Sequence, residues 1–482
     1  MDTREVNLMN KKIILLPLVA LTMGAVSCGS KVPPRASDTI YVCVYDGDYG
    51  TKWIDEAAKE YEAKTGVKVE WQADQAILTR IEGELASPSY DIYMSHDISW
   101  QKFAGQGLLE NLDDLYEMDV EGTGKKFKER LSDEAKKVSV FNDHYYKVCY
   151  TQGAGGLLYN MDMFEENGWT VPTTYEELVT LCATIKAANI DYGDEGGKVV
   201  PFAWAGSGEA YLWDYVVFEW WAQLGGTNAI DFYKAFKGDD GKYATGYQVY
   251  NPATHYKEFN QAYEMWYNLV GEHSEYSNTN AQVTNINTAR SLFATGGAAM
   301  MPYAHWAKYA IEKTQQLDFD IAFMKTPRAT GATTDYNYNV GYGDSMLIPA
   351  RAPAESKLAA KQFLAYLATK EGCKSFTKNS KGALFAFDYS IVDLGELMQD
   401  KYIASVYNKT VQCTNFNVVS TNPVAIINNA AIMPWINNEY YYAKAYAKPA
   451  GEVYQPTDVA NAIYAAAQAG WANWVKRAGV HD

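Results

Sequence analysis

The chain has 482 residues, more than a single hydrophobic core usually supports, so we expect two domains or lobes. Its 42 Lys and Arg against 58 Asp and Glu give a net charge of −16, and no basic run interrupts this acidity, which argues against nucleic acid as a partner. Aromatic residues make up 14% of the chain, and they suit both a packed core and stacking on apolar ligand faces.

The first residues read as a targeting signal. Lys11 and Lys12 precede an apolar stretch, residues 13–26, which is shorter than the ~20 residues a membrane-spanning helix needs. A basic start before a short apolar stretch predicts a secretory signal over residues 1–27. The stretch ends Ala-Val-Ser-Cys, which resembles a bacterial lipobox, so we expect Cys28 to carry a lipid and residues 28–37 to form a polar tether. The alternative is ordinary cleavage nearby, with Cys28 unmodified.

The other five cysteines are scattered, odd in number and without a C-x-x-C pair. This pattern supports neither a disulfide framework nor a structural zinc site, so we expect small buried apolar residues and predict no metal and no cofactor.

After the tether, strand-like and helix-like segments alternate. Gly66 stands where the first helix is expected to end. The alternation is the βαβ pattern of a parallel sheet. The predicted elements are strand Ile40–Tyr45, helix Trp53–Thr65, strand Val67–Trp71, helix Ile77–Ala86, strand Tyr90–Met94 and helix Trp100–Gly107.

A second series of elements begins near Val148. Thr174 and Glu177 have the spacing of a helix capping box. The predicted strands are Gly156–Tyr159, Ala298–Pro302 and Asp344–Pro349; the predicted helices are Asp162–Asn167, Tyr175–Ala188, Trp213–Leu224, Tyr256–Val270, Ala289–Phe293, Glu355–Thr369 and Val459–Arg477.

Five blocks in order carry a family resemblance. They are AKEYEAKTGVKVEW (58–71), SPSYDIYMSHDISWQKFAGQGLLENLDDL (87–115), GLLYNMDMFEENGWTVPTTYEELVTLCATI (156–185), ARSLFATGGAAMMPYAHW (289–306) and GYGDSMLIPARAPAESKLAAKQFLAYLATKEG (341–372). Together they resemble the extracellular solute-binding proteins of ABC importers, in the carbohydrate-binding family that includes maltose-binding proteins.

The resemblance implies an α/β, two-lobed periplasmic-binding-protein-like fold with discontinuous lobes and a ligand cleft between them. It places residues 38–147 and 339–387 in lobe 1, and residues 148–338 and 388–482 in lobe 2. It also implies a monomeric, non-enzymatic receptor outside the cytoplasm that is anchored to the lipid bilayer through Cys28. Such a receptor would carry a sugar or oligosaccharide to an ABC permease.

Ligands of open α/β sheets bind at the carboxyl ends of strands, and sugars need aromatic faces together with polar groups that meet their hydroxyls. Five stretches satisfy both conditions, with Trp435 as a weaker addition. The candidate ligand residues are Tyr45, Asp46, Asp48 and Tyr49; His96, Asp97 and Trp100; Trp204 and Trp213; Tyr303 and Trp306; and Tyr342 and Asp344.

The opening turn, residues 45–50, has competing interpretations. A calcium loop counted from Asp46 requires Gly at its sixth and Glu at its twelfth position, where the chain has Thr51 and Ala57. A phosphate loop is also excluded, because the turn lacks the Gly-rich pattern with Lys and carries two carboxylates. One Asp capping the following helix remains the structural alternative to ligand contact.

The sequence also leaves the chemical class of the ligand open. Since the five stretches contain no Arg or Lys, an anionic solute is disfavoured, whereas a cationic solute such as a polyamine is the alternative to a sugar. A surface glycoside hydrolase is less favoured, because no paired carboxylates stand at comparable positions.

Overall fold

The computed structural model describes residues 38–47, 49–96, 98–193, 196–271, 274–418, 456–478 and 482. Within these residues, no helix combines the length and the apolar character that crossing a membrane requires. The signal and tether predicted over residues 1–37, including Cys28, lie outside the described residues, as do Asp48, Asp97 and Trp435.

The first part of the chain builds most of one sheet and its helices. Its elements are β1 (Thr39–Val44), α1 (Lys52–Thr65), β2 (Lys68–Ala73), α2 (Ile77–Ala86), β3 (Ile92–Ser95), α3 (Trp100–Gly105), α4 (Asp113–Tyr116), β4 (Asp119–Val120), β5 (Lys125–Lys126), a 3-10 turn (Phe127–Arg130), α5 (Asp133–Lys137), β6 (Val140–Phe141), β7 (His144–Tyr145), β8 (Val148–Cys149) and β9 (Thr151–Gln152).

The middle of the chain builds a second sheet with long helices. Its elements are β10 (Gly155–Asn160), α6 (Met161–Glu166), α7 (Tyr175–Ala188), β11 (Asp191–Tyr192), β12 (Gly197–Lys198), β13 (Val200–Phe202), α8 (Asp214–Ala235), α9 (Lys257–Trp266), a π-helical turn (Tyr267–Gly271), α10 (Ile286–Ala294), β14 (Ala298–Ala304), α11 (Ala307–Glu312) and β15 (Ile321–Phe323), with 3-10 turns at Ala210–Trp213, Tyr243–Tyr250, Ser274–Tyr276 and Ala281–Val283.

The last part returns to the first sheet and then to the second. Its elements are β16 (Tyr336–Tyr338), β17 (Ser345–Leu347), α12 (Ala354–Leu367), α13 (Lys370–Asn379), β18 (Leu384–Phe385), α14 (Lys401–Gln412), β19 (Thr414–Phe416) and α15 (Pro456–Ala478), with 3-10 turns at Val340–Gly343 and Gly395–Gln399.

Two sheets define the two lobes. The first has the strand order β2-β1-β3-β17-β8, in which β1 pairs in parallel with β2 and β3, while β17 is antiparallel to β3 and β8. The second has the order β13-β14-β10-β15, with β10 antiparallel to both of its neighbours. Between them, β16 pairs with β19 and β9 pairs with β18, where the chain passes from one sheet to the other. The exact lobe borders stay a prediction.

Local signals explain where several elements begin and end. Gly66 ends α1 with φ 76°, in the left-handed region that favours glycine. The predicted capping box is confirmed, because Thr174 Oγ1 accepts the Glu177 N–H at 3.2 Å and Glu177 Oε2 accepts the Thr174 N–H at 3.2 Å. α8 runs eleven residues past the predicted end at Leu224, through a break at Gly226 with φ 70°.

Most of the tryptophan goes into the core of the second lobe. One cluster around α8, α9 and α15 buries Trp204, Trp213, Trp220, Trp221, Trp266, Trp471 and Trp474. A second cluster joins both sheets, since it contains Val42 of β1 and Met301 of β14. The five described cysteines are free and buried, as expected for small apolar residues.

Candidate functional site

The edge at which β1 and β3 end carries the candidate residues of the first lobe. Tyr45 follows β1 and donates its backbone N–H to the Met94 carbonyl at 2.8 Å. His96 follows β3, and its ring meets the Tyr45 ring edge to face at 4.3 Å. Because β17 begins opposite the last residue of β3, Asp344 lies at the same edge. Asp344, which directly precedes the antiparallel β17, therefore lies beside the carboxyl ends of the parallel strands β1 and β3.

The opening turn faces the second lobe at Gly50. This residue has φ +66°, and a Cβ there would lie 2.4 Å from the ring of Tyr309, which belongs to α11. Asp46 is half-buried, and its backbone carbonyl accepts the Gln75 amide at 3.3 Å. Thr51 holds the cap position of α1 without a side-chain cap bond. The described part of the turn thus forms a boundary between the lobes rather than a helix cap.

Tyr49 is the centre of a polar cluster that joins both lobes, which we call the Tyr49 hub. Its hydroxyl lies 2.9 Å from Thr151 Oγ1, 3.1 Å from His305 Nε2 and 3.0 Å from Asp344 Oδ2. Thr151 Oγ1 also donates to Asp344 Oδ2 at 3.0 Å. Asp344 comes from the first lobe, Thr151 from strand β9 between the lobes, and His305 from the end of β14 in the second lobe.

The protonation of the hub follows from burial. Burial raises the pKa of the Tyr49 hydroxyl well above its usual value, and the carboxylate of Asp344 adds to that shift, so the hydroxyl keeps its proton. Burial lowers the pKa of His305 to about 3, so the imidazole is neutral at pH 7. The Tyr49 and Thr151 hydroxyls both donate their hydrogen bonds to Asp344, so the Tyr49 oxygen is left as an acceptor. His305 therefore donates its Nε2–H to the Tyr49 oxygen. His305 Nδ1 is buried without a hydrogen-bond partner among the described residues.

A set of aromatic rings extends from the hub through Trp306, which is the one member of the set that the sequence predicted. We call Tyr211, Tyr215, Phe218, Trp306 and Tyr338 the aromatic group. Trp306 meets Tyr49 at 6.2 Å and Tyr215 at 6.0 Å between ring centroids. Tyr215 is 7% exposed, while the other four rings are partly exposed. Tyr215 and Phe218 lie three residues apart on α8, and this spacing, which places both rings on one side of the helix, is the signal that the sequence offers for them.

Several candidate residues lie elsewhere in the structure. Trp204 and Trp213 are 1% and 0% exposed in the core of the second lobe, where Trp204 Nε1 donates to Ser277 Oγ. Tyr303 is 1% exposed behind Trp306, and its hydroxyl accepts from Arg290 Nε at 2.7 Å. The structure therefore does not bring these three rings to the hub, because the pattern that predicted them does not distinguish a core face from a cleft face.

Two more candidates, Trp100 and Tyr342, flank a buried cation that sequence reasoning missed. Lys147 is 0% exposed, and its Nζ donates to the Tyr342 carbonyl at 2.9 Å and lies 5.6 Å from the Trp100 ring centroid. Burial lowers the pKa of the Lys147 ammonium. The Tyr342 hydroxyl lies 2.7 Å from Ser132 Oγ. Thus Arg290 and Lys147 both stand beside candidate residues although the five candidate stretches contain no cation.

A buried ion pair, Lys409 with Glu219, contacts the backbone of the aromatic group at Tyr338. Lys409 Nζ donates to Glu219 Oε2 at 3.0 Å and to Thr326 Oγ1 at 3.3 Å, and it also reaches the Gly155 carbonyl. The Lys409 and Glu219 side chains are 2% and 0% exposed. Glu219 Oε1 accepts the Tyr338 N–H at 2.8 Å, so this pair connects α8 with strand β16.

Two surface hollows of the second lobe lie away from the hub. One, of about 540 Å³, is lined by the residues before α7 and the first turns of that helix; the other, of about 260 Å³, lies between β15 and α14. Neither contains a candidate ligand residue. Among the described residues, no group of three or more His, Cys, Asp and Glu side chains could hold a metal ion.

Comparison with known sequences gives one family and two named relatives. Residues 47–373 match the family described as bacterial extracellular solute-binding protein. The multiple sugar-binding protein of Streptococcus mutans is 25% identical over 374 residues, which cover 76% of this chain and 80% of that protein. The diacetylchitobiose binding protein NgcE of Streptomyces coelicolor is 28% identical over 163 residues, which cover 33% of this chain and 34% of that protein, about a third of each.

Comparison with solved structures supports the fold. The apo form of RafE from Streptococcus pneumoniae is 18% identical, with a TM-score of 0.63 over 90% of this chain and 99% of that chain. A solute-binding protein from Agrobacterium radiobacter K84, solved with ribitol, is 17% identical, with a TM-score of 0.62 over 89% of this chain and 98% of that chain.

Proposed function

The chain belongs to the bacterial extracellular solute-binding proteins of ABC importers, and on this premise we propose that it captures a sugar or oligosaccharide between its two lobes. The relatives whose names mention a ligand bind sugars or diacetylchitobiose, which supports a carbohydrate cargo for this chain. We propose further that it delivers this cargo to a membrane permease without chemical change, as a monomer held outside the cytoplasm by a lipid on Cys28.

The observation that carries the proposal is the meeting of the Tyr49 hub with the aromatic group. Partly exposed ring faces suit the C–H faces of sugar rings. Within the hub, His305 Nδ1 has no hydrogen-bond partner among the described residues, so it can accept from a ligand hydroxyl group, which both donates and accepts. Since these groups come from both lobes, a ligand that touches them all favours the closed arrangement, as a hinged receptor requires.

A cationic solute is less well supported than a sugar. Asp344 would be its natural partner, but one of its carboxylate oxygens already accepts from Tyr49 and Thr151, and Lys147 adds positive charge nearby. A carboxylate with these neighbours offers less attraction to an ammonium group than an uncommitted one.

Ligand-dependent stabilisation tests the proposal with a matched control. We expect the melting temperature of the mature protein to rise with one or more members of a panel of mono- and oligosaccharides, since a ligand at 100 times its Kd stabilises the folded state by ~2.7 kcal/mol. Trp306→Ala is expected to weaken the binding of that sugar about tenfold. The control is Trp169→Ala, which replaces a partly buried Trp in the hollow before α7 and should leave the affinity for the sugar unchanged. A shift with spermidine but with no sugar would favour the cationic alternative, and release of reducing ends would favour a hydrolase.

A further inference from the structure

The aromatic group continues past the Tyr49 hub towards the strand on which the chain returns to the first lobe. Tyr215 stands at the junction of two arms. One arm leads to Trp306 at 6.0 Å and on to Tyr49 at 6.2 Å. The other leads to Tyr338 of β16 at 5.9 Å and on to Phe218 at 5.0 Å. The two arms are therefore two series of ring contacts, and they meet at the buried ring of Tyr215.

The second arm differs from an ordinary core contact in its exposure. Phe218 is partly exposed, although Val217 and Glu219 on either side of it are fully buried. Tyr338 packs against the core cluster of the second lobe and against the cluster that joins the two sheets, and it still keeps part of its surface exposed. Partly exposed aromatic rings that are grouped at a lobe boundary are typical of binding surfaces.

The second arm is also held in place. The Tyr338 N–H is bound by Glu219 Oε1, and Glu219 is in turn bound by Lys409 Nζ. The rings of Tyr338 and Phe218 meet edge to face at 84°, which fixes their mutual orientation. A ring platform that is fixed before binding loses little conformational entropy when a ligand stacks on it.

We propose that Tyr338 and Phe218 form a second aromatic subsite, beside the crossover strand, which takes another ring of a carbohydrate whose first ring lies against Trp306. The inference rests on the proposed function and deepens it. It assigns the cargo to saccharides of at least two linked rings, because Trp306 and Tyr338 lie on different arms, with their centroids 6.0 and 5.9 Å from that of Tyr215, and each arm takes one sugar ring. A single monosaccharide occupies one arm and leaves the other unused.

The test measures affinity against chain length by calorimetry on the mature protein. The probes are two series: galactose, melibiose, raffinose and stachyose, and N-acetylglucosamine, diacetylchitobiose and chitotriose. In the series that binds, the wild type is expected to gain about tenfold in affinity when a ring is added over the second arm. Tyr338→Ala and Phe218→Ala are expected to remove that gain, so that the longer sugar no longer binds about tenfold more tightly than the shorter one.

Two further variants separate stacking from folding. Tyr336→Ala is the matched control, because Tyr336 is a partly exposed ring on the same strand that meets Phe416 at 5.9 Å. It is expected to bind like the wild type. Tyr338→Phe keeps the ring and should keep the gain even where the Ala variants fold poorly.

Contrary results are distinguishable. A wild type that binds the monosaccharide as tightly as every longer sugar overturns the second subsite and leaves the proposed function standing. Equal losses for short and long sugars in Tyr338→Ala, with native folding, also overturn it. A wild type that binds none of these sugars, and none of the wider saccharide panel used in the melting-temperature test, overturns both proposals together.

Discussion

Acidification is expected to destabilise this protein through His305, and the effect can be isolated by substitution. His305 is fully buried with a pKa of about 3, whereas a histidine in an unfolded chain has a pKa of about 6.5. Between these values the unfolded chain binds a proton that the folded protein excludes. Stability therefore falls as the pH drops below about 6.5, and the loss continues until the pH approaches the folded value.

The magnitude follows from the two pKa values. Each pH unit in this window costs about 1.4 kcal/mol, so lowering the pH from 7 to 5 removes about 2 kcal/mol through His305 alone. The assay is urea unfolding at pH 7 and pH 5 for the wild type and for His305→Gln, whose amide can still donate to the Tyr49 hydroxyl but does not titrate. His144→Gln is the matched control, since that side chain is 51% exposed.

The decisive quantity is the difference between proteins, because most carboxylates contribute equally to all three. Asp113 is the exception in His144→Gln, since it pairs with His144, and an exposed pair of this kind is worth about 1 kcal/mol or less. We expect His305→Gln to lose about 2 kcal/mol less than the wild type between pH 7 and pH 5, and His144→Gln to follow the wild type. If His305→Gln loses as much stability as the wild type, burial of a neutral imidazole in the Tyr49 hub is refuted.

Two other predictions concern packing and lobe closure. Lys409→Met leaves the Glu219 carboxylate buried without its counter-ion, so the free energy of unfolding in urea should fall by roughly 3–5 kcal/mol. Adding Glu219→Gln removes the buried charge and should restore much of that stability. A Lys409→Met variant as stable as the wild type would contradict this account. Gly50→Ala places a methyl group 2.4 Å from the Tyr309 ring and strains a backbone with φ +66°, so X-ray scattering should show a larger radius of gyration than for the wild type. Adding Tyr309→Ala should reverse that expansion, and an unchanged radius in Gly50→Ala would mean that this contact does not set the lobe spacing.

The sequence predicted the order of elements in the first lobe well, because its strands are short apolar runs separated by amphipathic helices. β1, α1 and α2 lie within one residue of the predicted bounds. The later helices α13 and α14 were not predicted, although their buried faces include apolar residues at helical spacing, Cys373 and Phe376 in α13 and Tyr402, Ile403 and Val406 in α14. The strand order could not be read from periodicity, since β17 joins the first sheet from almost 200 residues further along the chain than β8.

The candidate site was predicted in part, and the errors share one cause. Tyr49, Asp344 and Trp306 were chosen because they follow or precede strands, and the structure brings them together at the Tyr49 hub. Trp204 follows a strand in the same way but turns into the core. Position along a strand indicates the edge of a sheet, whereas the direction of a side chain depends on packing that a single sequence does not contain. For the same reason His305, the neighbour of Trp306, was missed.

The bond from Glu219 to the Tyr338 N–H has a consequence for the sequence of events during capture. Helix α8 carries Tyr215 and Phe218, so this bond makes those two rings and the returning strand one rigid piece. If the lobes separate about the crossover strands, as the proposed function requires, we expect that piece to keep its shape while Tyr49 moves away with the first lobe. We therefore expect the ligand to contact the second lobe first and Tyr49 to enclose it when the lobes come together.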